Sequence, residues 1–580
     1  MVVDKYISAT TQSVINHYSA LARSHKLEFK LLSKVQIEPE LFDINLSEQY
    51  LKLQAIPIAS DPDALTIATS NPSVENCESI TEFWSKGSGK NVKIVVASRQ
   101  DILDVLSQVF VKENVHKASY GFNDLNPKMS AKRIFNVAER IALLVLIYVL
   151  ISGFVFYPKN TILFGTVALT LGTFLCWGYK FFLTVINIIK PINNPKFTLM
   201  LNDEQLPIYT VLVPLLRENE SIIKQLITSL SSLNYPPDKL DIKILLEDND
   251  EQSSSVIRNF ELPSNFHVVY VPPGEPRSKP RACNYGLLFA IGEYVTIYDA
   301  EDLPDLGQLK KVVQCFQEGD EKLVCVQAIL NFYNARDNLL SRFFTIEYTT
   351  LFDQILSGIA SLKLLIPLGG TSNHFKATRL RELGAWDPFN VTEDADIGIR
   401  LYRYGYTSTV TNSTTMEEAN SRLINWLRQR TRWNKGYLTC YFVHMRHPIK
   451  LFKQLGLKNF LHFQIIVGGS VFAQLANLPL WIALLGTLFF PIHFTQPKII
   501  WAFAWINFSY CNLLYTAAHF IGVMRRKLYF LIPTIPFMIF YWMYMSVASF
   551  YALYELIVRP TYWYKTEHGV SKFFNKKKKG

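Results

Sequence analysis

The sequence predicts an α/β domain with a mainly parallel sheet, embedded between transmembrane helices and preceded by a second, smaller α/β domain. Two observations carry this prediction. First, hydrophobic residues make up 49% of the 580 residues and charged residues only 18%, which is too apolar for an ordinary soluble protein of this length. Second, four continuous apolar runs alternate with helical stretches, the pattern of a parallel sheet covered on both faces. These runs lie at 209–214, 242–246, 268–271 and 295–298.

The first 115 residues predict a small α/β domain with a docking or regulatory role. Short β-type runs at 53–58, 64–69 and 92–97 are bounded by Pro, Asn, Asp and Ser, which favour turns. Helical spacing of apolar residues follows at 74–84 and 100–110. Residues 116–135 are polar and contain Gly, Asn and Pro, so we expect a linker there.

Two segments within 136–190 predict membrane helices. Residues 138–156 and 161–189 are apolar over lengths that suffice to cross a bilayer, and only four residues separate them. Basic residues lie mainly outside the pair, which predicts that both flanks are cytoplasmic. We therefore expect residues 206–446, which follow, to form a cytoplasmic soluble domain.

Residues 460–557 predict further membrane helices of interfacial and spanning character. The segment 464–490 is interrupted near Pro479, and 499–524 predicts a full crossing that ends at a basic cluster. Pro533 and Pro536 break 528–557, which favours a re-entrant or surface-lying hairpin. We expect about four crossings in total and a basic cytoplasmic tail at 558–580.

The net charge of +11 does not indicate nucleic-acid binding, because the basic residues flank apolar runs rather than forming one long patch. Such flanks suit an anionic membrane surface. The seven cysteines include no CxxC pair, so neither a disulfide framework nor a zinc site is predicted.

Carboxylates follow two of the predicted strands. Asp248 comes after the run at 242–246, and Asp299 and Glu301 come after the run at 295–298. Ligands of parallel sheets bind beyond the carboxyl ends of the strands, where we expect these side chains to point. Asp248 is a candidate acceptor for hydrogen bonds from a uracil or a ribose. Asp299 and Glu301 are candidate ligands of Mg²⁺ or Mn²⁺, which prefer hard oxygen donors.

A basic loop and a glycine turn are candidate substrate contacts. Arg277, Lys279 and Arg281 precede a predicted helix, a pattern that suits a diphosphate group, although a solvated loop is an equal alternative. Gly370, in a Gly-Gly turn, allows the backbone to approach a sugar closely. His374 is expected to be a structural hydrogen-bond partner rather than a ligand.

Two later segments contain further candidate site residues. Asp394 precedes a predicted helix and is a candidate general base for an acceptor hydroxyl, whereas Asp396 is expected to cap that helix. Arg432 and Trp433 suit a phosphate and a sugar ring, and an amphipathic membrane-surface helix is a compatible alternative. Together these residues indicate transfer of a group from a nucleotide diphosphate donor.

The order and spacing of these motifs resemble processive family 2 glycosyltransferases of the cellulose-synthase type. The resemblance lies in Asp248, in Asp299-x-Glu301, in Thr392-Glu393-Asp394, and in Gln429-x-x-Arg432-Trp433. Glu301 stands where the usual motif has Asp. The resemblance implies a GT-A (Rossmann-like) catalytic domain in 206–446, with Asp394 of the Glu393-Asp394 pair as the base and Gln429 as a further substrate contact.

From the resemblance we expect an inverting enzyme of the bacterial inner membrane that uses a UDP-sugar, with UDP-glucose favoured, to build and translocate a β-linked polysaccharide. Residues 55–102 also resemble the N-terminal domain of type II secretion and type IV pilus ATPases, which implies docking to an accessory subunit. Two alternatives stay open. One is a lipid glycosyltransferase that adds a single sugar to diacylglycerol or polyprenyl phosphate, and the other is a non-enzymatic membrane scaffold.

Overall fold

A computed structural model describes residues 12–192, 202–489 and 498–560. The chain divides into two compact units. The first contains the described residues up to Gly121 together with Asp203–Ser231 and Tyr235–Ala300. The second contains the remaining described residues, from Phe122 onwards. Most of the predicted basic tail at 558–580 lies outside the described residues.

The N-terminal domain has a four-stranded sheet in the order β1-β4-β3-β2, in which β2 and β3 are antiparallel and the other pairs parallel. Its core stacks Tyr50 between Trp84 and Phe110, with ring centroids 6.3 and 6.5 Å apart. The strands are β1 Glu28–Phe29, β2 Ala55–Ser60, β3 Ala64–Thr69 and β4 Asn91–Val96. The helices are α1 Gln12–Ser24, α2 Ser47–Lys52, α3 Val74–Ser88, α4 Arg99–Val109 and α5 Val111–Leu125.

The predicted linker at 116–135 is helical in its first half, because α5 extends to Leu125. Ala118 and Phe122 are each only 1% exposed, so apolar side chains spaced four residues apart give this polar-looking segment a buried face. Beyond it the chain forms α6 Val137–Phe156 and α7 Pro158–Ile189, at the positions of the two predicted membrane helices. Asn136 and Glu139 form a capping box at the start of α6.

The rest of the first unit contains four parallel strands in the order β7-β6-β5-β8, as the apolar runs predicted. In register, Tyr209 on β5 lies opposite Leu240 on β6 and Tyr294 on β8. Because all four strands run the same way, their carboxyl ends meet at one edge. The elements are β5 Tyr209–Leu215, α8 Glu220–Ser231, β6 Leu240–Glu247, α9 Glu251–Arg258, β7 Phe266–Val271, α10 Lys279–Leu287 and β8 Tyr294–Ile297.

The second unit contains a mixed set of strands in the order β11-β10-β12-β9, in which β10 pairs with β12 in parallel and the other two pairs are antiparallel. Both parts of the chain therefore confirm the predicted α/β class. The strands are β9 Leu303–Pro304, β10 Leu323–Phe332, β11 Asn373–Lys376 and β12 Thr407–Glu417. The helices are α11 Gln308–Glu318, α12 Leu339–Tyr348, α13 Ser357–Ser361, α14 Ala377–Glu382, α15 Glu393–Arg403 and α16 Leu423–Met445, with a π-helix at Thr349–Leu356.

The chain continues through α17 Pro448–Phe463, α18 Gly469–Phe489, α19 Lys498–Arg525 and α20 Met538–Val558. Among the described residues, four segments are long and apolar enough to cross a membrane. They are Glu139–Phe156, Pro158–Ile189, Pro448–Gly486 and Tyr529–Val558. The candidate segments equal the expected crossings in number, but they are not the same set of segments.

The predicted hairpin at 528–557 is wrong, because α20 is one continuous helix of 21 residues. Pro533 and Pro536 lie in the preceding 3₁₀ segment, where each proline disturbs fewer helical hydrogen bonds. The predicted crossing at 499–524 does form the helix α19, yet α19 is not among the four candidate spans of the described chain. Its polar side chains, among them Asn507, Asn512 and His519, lower its hydropathy.

Candidate active site

Asp248 is half-buried and lies directly after the last residue of β6. Its backbone N–H donates to the carbonyl oxygen of Val271 at 3.1 Å, so pairing between β6 and β7 continues through this residue. Asp250, two residues later, is a helix cap: its carboxylate accepts hydrogen bonds from the backbone N–H groups of Ser253 at 3.1 Å and Arg217 at 2.5 Å. The two acids therefore have different surroundings, and Asp248 is the candidate for binding a ligand.

Asp299 follows β8 and carries an ion pair. The Nζ atom of Lys279 lies 2.5 Å from Oδ1 of Asp299, and the two side chains are 19% and 31% exposed. Lys279 is the first residue of α10, so its position is fixed by the start of that helix. Two predicted site residues, one for a diphosphate and one for a metal ion, are thus in direct contact.

The other two cations of the loop differ sharply from each other. The side chain of Arg277 is 62% exposed, and its Nε atom lies 4.0 Å from Oε1 of Glu275. Arg281 is fully buried: its guanidinium donates to the carbonyl oxygen of Pro272 at 2.8 Å and to both carboxylate oxygens of Glu247, at 2.8 and 3.1 Å. The prediction that Arg281 binds a diphosphate is therefore corrected, because its position inside α10 directs it into the interior.

Glu247 is the half-buried partner of Arg281. Burial raises the pKa of Glu247, although the charge of Arg281 and its hydrogen bonds act in the opposite direction. Arg281 contacts both carboxylate oxygens of Glu247, so this pair stabilises the fold. Removal of either partner would cost stability, because it would leave a charge in the interior unpaired.

Glu301 is only 8% exposed, and Asp302 beside it is fully buried and accepts a hydrogen bond from the hydroxyl of Thr371. In the part of the chain that the structure describes, no three His, Cys, Asp or Glu side chains converge to hold a metal ion. Asp299 and Glu301, two residues apart in the sequence, are carboxylates of the type that Mg²⁺ and Mn²⁺ prefer. The residue types therefore fit such an ion.

Asp394 is the second residue of α15, and Glu393 is the first. Glu393 is 9% exposed, whereas Asp394 is half-buried. Gly370 lies close by, since a Cβ atom added to it would be 3.6 Å from Oδ2 of Asp394. The predicted base and the predicted glycine turn are thus neighbours, and both can contact the same bound group.

Helix α16 packs directly on the segment that carries the base. A Cβ atom added to Gly436 would collide with the side chain of Thr392, the residue before Glu393, so only glycine permits this close approach. The phenol of the next residue, Tyr437, has a pKa raised by burial and, to a smaller extent, by the negative charge of Asp394. Tyr437 was not predicted from the sequence, because it lies outside the motifs that identify the other site residues.

Asp396 does not act as the predicted helix cap. Its buried carboxylate accepts hydrogen bonds from Nε of Arg400 at 2.7 Å and from Nε2 of His444 at 3.0 Å. Burial alone would raise the pKa of Asp396, but Arg400 and His444 together hold it below its ordinary value. The spacing of four residues between Asp396 and Arg400 places both on one face of α15, a signal that the sequence contained.

Arg432 and Trp433 are half-buried residues of α16. Trp433 stacks with Tyr348 at a centroid distance of 6.1 Å, and the guanidinium of Arg430 lies 4.6 Å from its ring. Gln429 accepts a hydrogen bond from the side chain of Asn420 at 2.8 Å. The aromatic surroundings fix the ring of Trp433, as a platform for a sugar ring requires.

Arg430 and Glu347 form a pair that the sequence analysis did not identify. Both Nη atoms of Arg430 contact the carboxylate of Glu347, and the hydroxyl of Tyr541 donates to the same carboxylate at 2.6 Å. Arg430 stands within the Gln429-to-Trp433 motif and could have been found there, whereas the sequence gives no signal for Glu347. His374 is buried beside Gln308, at 3.2 Å, which agrees with its expected structural role.

The sequence matches two family models. Residues 207–436 match the family described as "Glycosyltransferase like family 2", and residues 25–116 match the MshEN domain. Every predicted site residue, from Asp248 to Trp433, lies within the first match. The second match confirms the predicted relation of the N-terminal module to the N-terminal domain of secretion ATPases.

Among curated proteins, a "Probable glycosyltransferase YdaM" of Bacillus subtilis is 24% identical over 379 residues, which cover 63% of this chain and 88% of the relative. The catalytic subunit of a UDP-forming cellulose synthase of Komagataeibacter xylinus is 22% identical, and the match covers 46% of this chain and only 35% of the relative. Among solved structures, a mannosyltransferase of Pyrobaculum calidifontis in complex with GDP-Man and Mn²⁺ covers 68% of this chain and 97% of its own, at 18% identity and a TM-score of 0.44.

Proposed function

Residues 207–436 are a family 2 glycosyltransferase domain and residues 25–116 an MshEN domain, and on that premise we propose an inverting enzyme that transfers the sugar of UDP-glucose to a growing β-linked glycan. The observation that carries the proposal is the position of Asp394. It is a half-buried carboxylate at the start of a helix, beside the backbone of Gly370. A carboxylate in this position is of the type that accepts a proton from an acceptor hydroxyl.

In the proposed reaction Asp394 accepts the proton of the acceptor hydroxyl as that oxygen attacks the anomeric carbon of the donor. The bond from that carbon to the diphosphate breaks, and its electron pair leaves with UDP. One base and one direct displacement invert the configuration at this carbon. Asp248 accepts hydrogen bonds from the uracil or ribose, while Arg277, Lys279 and Arg432 stabilise the charge that develops on the diphosphate.

The carboxylates of Asp299 and Glu301 are the proposed ligands of Mg²⁺ or Mn²⁺. A divalent ion supplies positive charge to the leaving diphosphate. Such an ion would have to compete with Lys279, whose Nζ atom contacts Oδ1 of Asp299. A Lys279 side chain without that contact would be able to bind the phosphate oxygens of the donor.

The proposed location is the bacterial inner membrane, with several crossings and the catalytic domain on the cytoplasmic side. Four apolar segments support membrane association. Within the second unit, Arg526, which follows α19 directly, donates hydrogen bonds to both carboxylate oxygens of Asp353 at 2.7 and 2.9 Å. Arg525 donates to the side chain of Gln354 at 3.0 Å. The basic flank that we expect on the cytoplasmic side thus also contacts the π-helix at Thr349–Leu356.

A small cavity among the apolar helices of the second unit has a lining of the kind that contacts sugars, in keeping with the proposed polysaccharide. It has a volume of about 50 Å³ and lies between α7, α18, α19 and α20. Its lining combines three tryptophans with three asparagines, residue types that offer ring faces and amide groups to sugars. These residues are Trp177, Trp481, Trp542, Asn477, Asn507 and Asn512.

Product size is the test of this proposal. The purified full chain in lipid nanodiscs is incubated with radiolabelled UDP-glucose and Mg²⁺ or Mn²⁺, and the products are separated by chromatography and by extraction into organic solvent. A labelled product that stays at the origin and is degraded by a β-glucanase is expected. A label that enters the organic phase would identify the glycolipid alternative. Absence of transfer from every UDP-hexose would overturn the proposal and leave a scaffold role.

A further inference from the structure

The N-terminal domain contacts the strand at the edge of the parallel set in the first unit. The side chain of Gln100, in α4, donates to the carbonyl oxygen of Val268 at 2.7 Å and accepts from the N–H of Val268 at 3.0 Å. It thereby pairs with β7 as a neighbouring strand would. Edge strands need such cover because their outward backbone groups are otherwise unpaired.

A buried ion cluster lies beside this contact. Nη2 of Arg99 is 3.1 Å from Oδ1 of Asp241, and Nζ of Lys243 is 2.9 Å from the same oxygen. Burial alone would raise the pKa of Asp241, but Lys243 and Arg99 together hold it well below its usual range. If Arg99 moved away, the buried carboxylate of Asp241 would lose one of its two cationic partners, which would cost stability. The contact therefore favours a docked N-terminal domain.

Helix α5 of the same domain reaches the loop that carries the proposed donor-binding cations. The side chain of Asn284, in α10, donates to the carbonyl oxygen of Ala118 in α5 at 3.1 Å. A Cβ atom added to Gly274 would lie 3.1 Å from Cγ1 of Val115. Gly274 thus allows α5 to lie against the loop that leads to Lys279, the first residue of α10.

We propose that Gln100 and Val115 of the N-terminal domain are positioning residues that hold the Gly274–Lys279 loop and α10, and so set the affinity for the donor's diphosphate. The partner of this docking surface is the catalytic part of the same chain. The inference rests on the proposed function, because it assigns the diphosphate to Lys279. It gives the N-terminal domain a role in donor binding that needs no second protein.

The test compares the full chain with Gln100→Ala, Val115→Ala and the double variant in nanodiscs. Lys86→Ala is the matched control, since Lys86 lies in α3 of the same domain, is 74% exposed and pairs only with its helix neighbour Glu82 among the recorded ion pairs. We expect the KM for UDP-glucose to rise about three- to tenfold in Gln100→Ala, because this is the size of effect expected when neutral hydrogen bonds are lost. The kcat should stay within about twofold of the wild-type value. Hydrogen exchange of the 274–279 amides should rise in parallel.

Four results would be informative. An unchanged KM and unchanged exchange at 274–279 in the double variant would overturn the inference and leave the proposed function intact. A lower melting temperature with wild-type KM would also overturn it, because the contacts would then be structural only. If the wild type transfers no sugar and binds no UDP in calorimetry, the proposed function fails, and the inference fails with it. If UDP binds without transfer, its Kd replaces KM as the readout.

Discussion

The ammonium group of Lys279 lies 2.5 Å from a carboxylate oxygen of Asp299. This pair joins a residue at the start of α10 to the residue that follows β8, and both are partly exposed. A cation that binds Asp299 must compete with Lys279. We therefore expect the lysine to regulate metal binding as well as to bind phosphate.

Lys279→Met tests this competition. Without nucleotide, we expect Mn²⁺ to bind the variant about two- to fivefold more tightly, because a partly exposed ion pair contributes only a small free energy. Sugar transfer should fall about tenfold or more, since the diphosphate loses a cation. Mn²⁺ titration followed by electron paramagnetic resonance measures the first effect. Lys311→Met, which removes the lysine paired with Asp305, is the control, and weaker Mn²⁺ binding by Lys279→Met would contradict this account.

Arg277 and Arg281 are expected to respond in opposite ways. Arg281→Met leaves the half-buried Glu247 without its partner, so thermal unfolding should show a loss of about 3 kcal/mol in stability, at the lower end of what a broken buried pair costs. Arg277→Ala removes a mostly exposed side chain, so stability should stay within about 0.5 kcal/mol while the KM for the donor rises. A stable Arg281→Met with weakened donor binding would restore the original assignment of Arg281.

His444 should make the fold sensitive to acid. Nη1 of Arg403 donates to Nδ1 of His444 at 2.8 Å, so the imidazole must be neutral and its Nε2–H donates to Asp396. Burial lowers the pKa of His444 to about 4, although Asp396 acts in the opposite direction. Since the unfolded imidazole titrates near its ordinary value, the stabilisation is complete above about pH 6.5 and is lost as the pH falls from there through about 4.

Melting temperatures at pH 7.5 and pH 5 measure this effect. We expect the wild type to lose more stability between these values than His444→Gln, which has no ionisable ring. The exposed His25 provides the control, and His25→Gln should behave as the wild type does. Equal losses in the wild type and His444→Gln would show that other groups cause the acid sensitivity.

The fold was largely predictable because its strands are buried on both faces and therefore read as continuous apolar runs. The runs at 209–214 and 242–246 became β5 and β6 with shifts of one or two residues at their ends. The predicted hairpin failed for a different reason. Proline predicts a break but not its extent, and here the break is confined to the nine residues of Tyr529–Phe537 before α20.

The candidate site was predictable at the ends of strands and less so inside helices. Asp248 and Asp299 lie where the apolar runs end, because strand ends are local features of the sequence. The role of Arg281 depends on which face of α10 points to the interior, and on that face its guanidinium contacts Glu247. The pairing of Arg430 with Glu347 links residues 83 positions apart, and no local pattern encodes such a contact.

The central claim is that Asp394 is the base in a sugar transfer from a nucleotide donor. Asp394→Asn keeps the size of the side chain and removes its basicity. We therefore expect UDP binding in calorimetry within about twofold of the wild type and sugar transfer reduced by at least about a hundredfold. The exposed Glu382→Gln, in α14, is the control and should transfer at the wild-type rate.

The most direct measurement is the initial rate of label transfer from UDP-glucose by the wild type and Asp394→Asn, side by side in nanodiscs. The account predicts a product from the wild type and almost none from the variant at saturating donor. Equal rates in the two proteins would contradict the role of Asp394 and require another base.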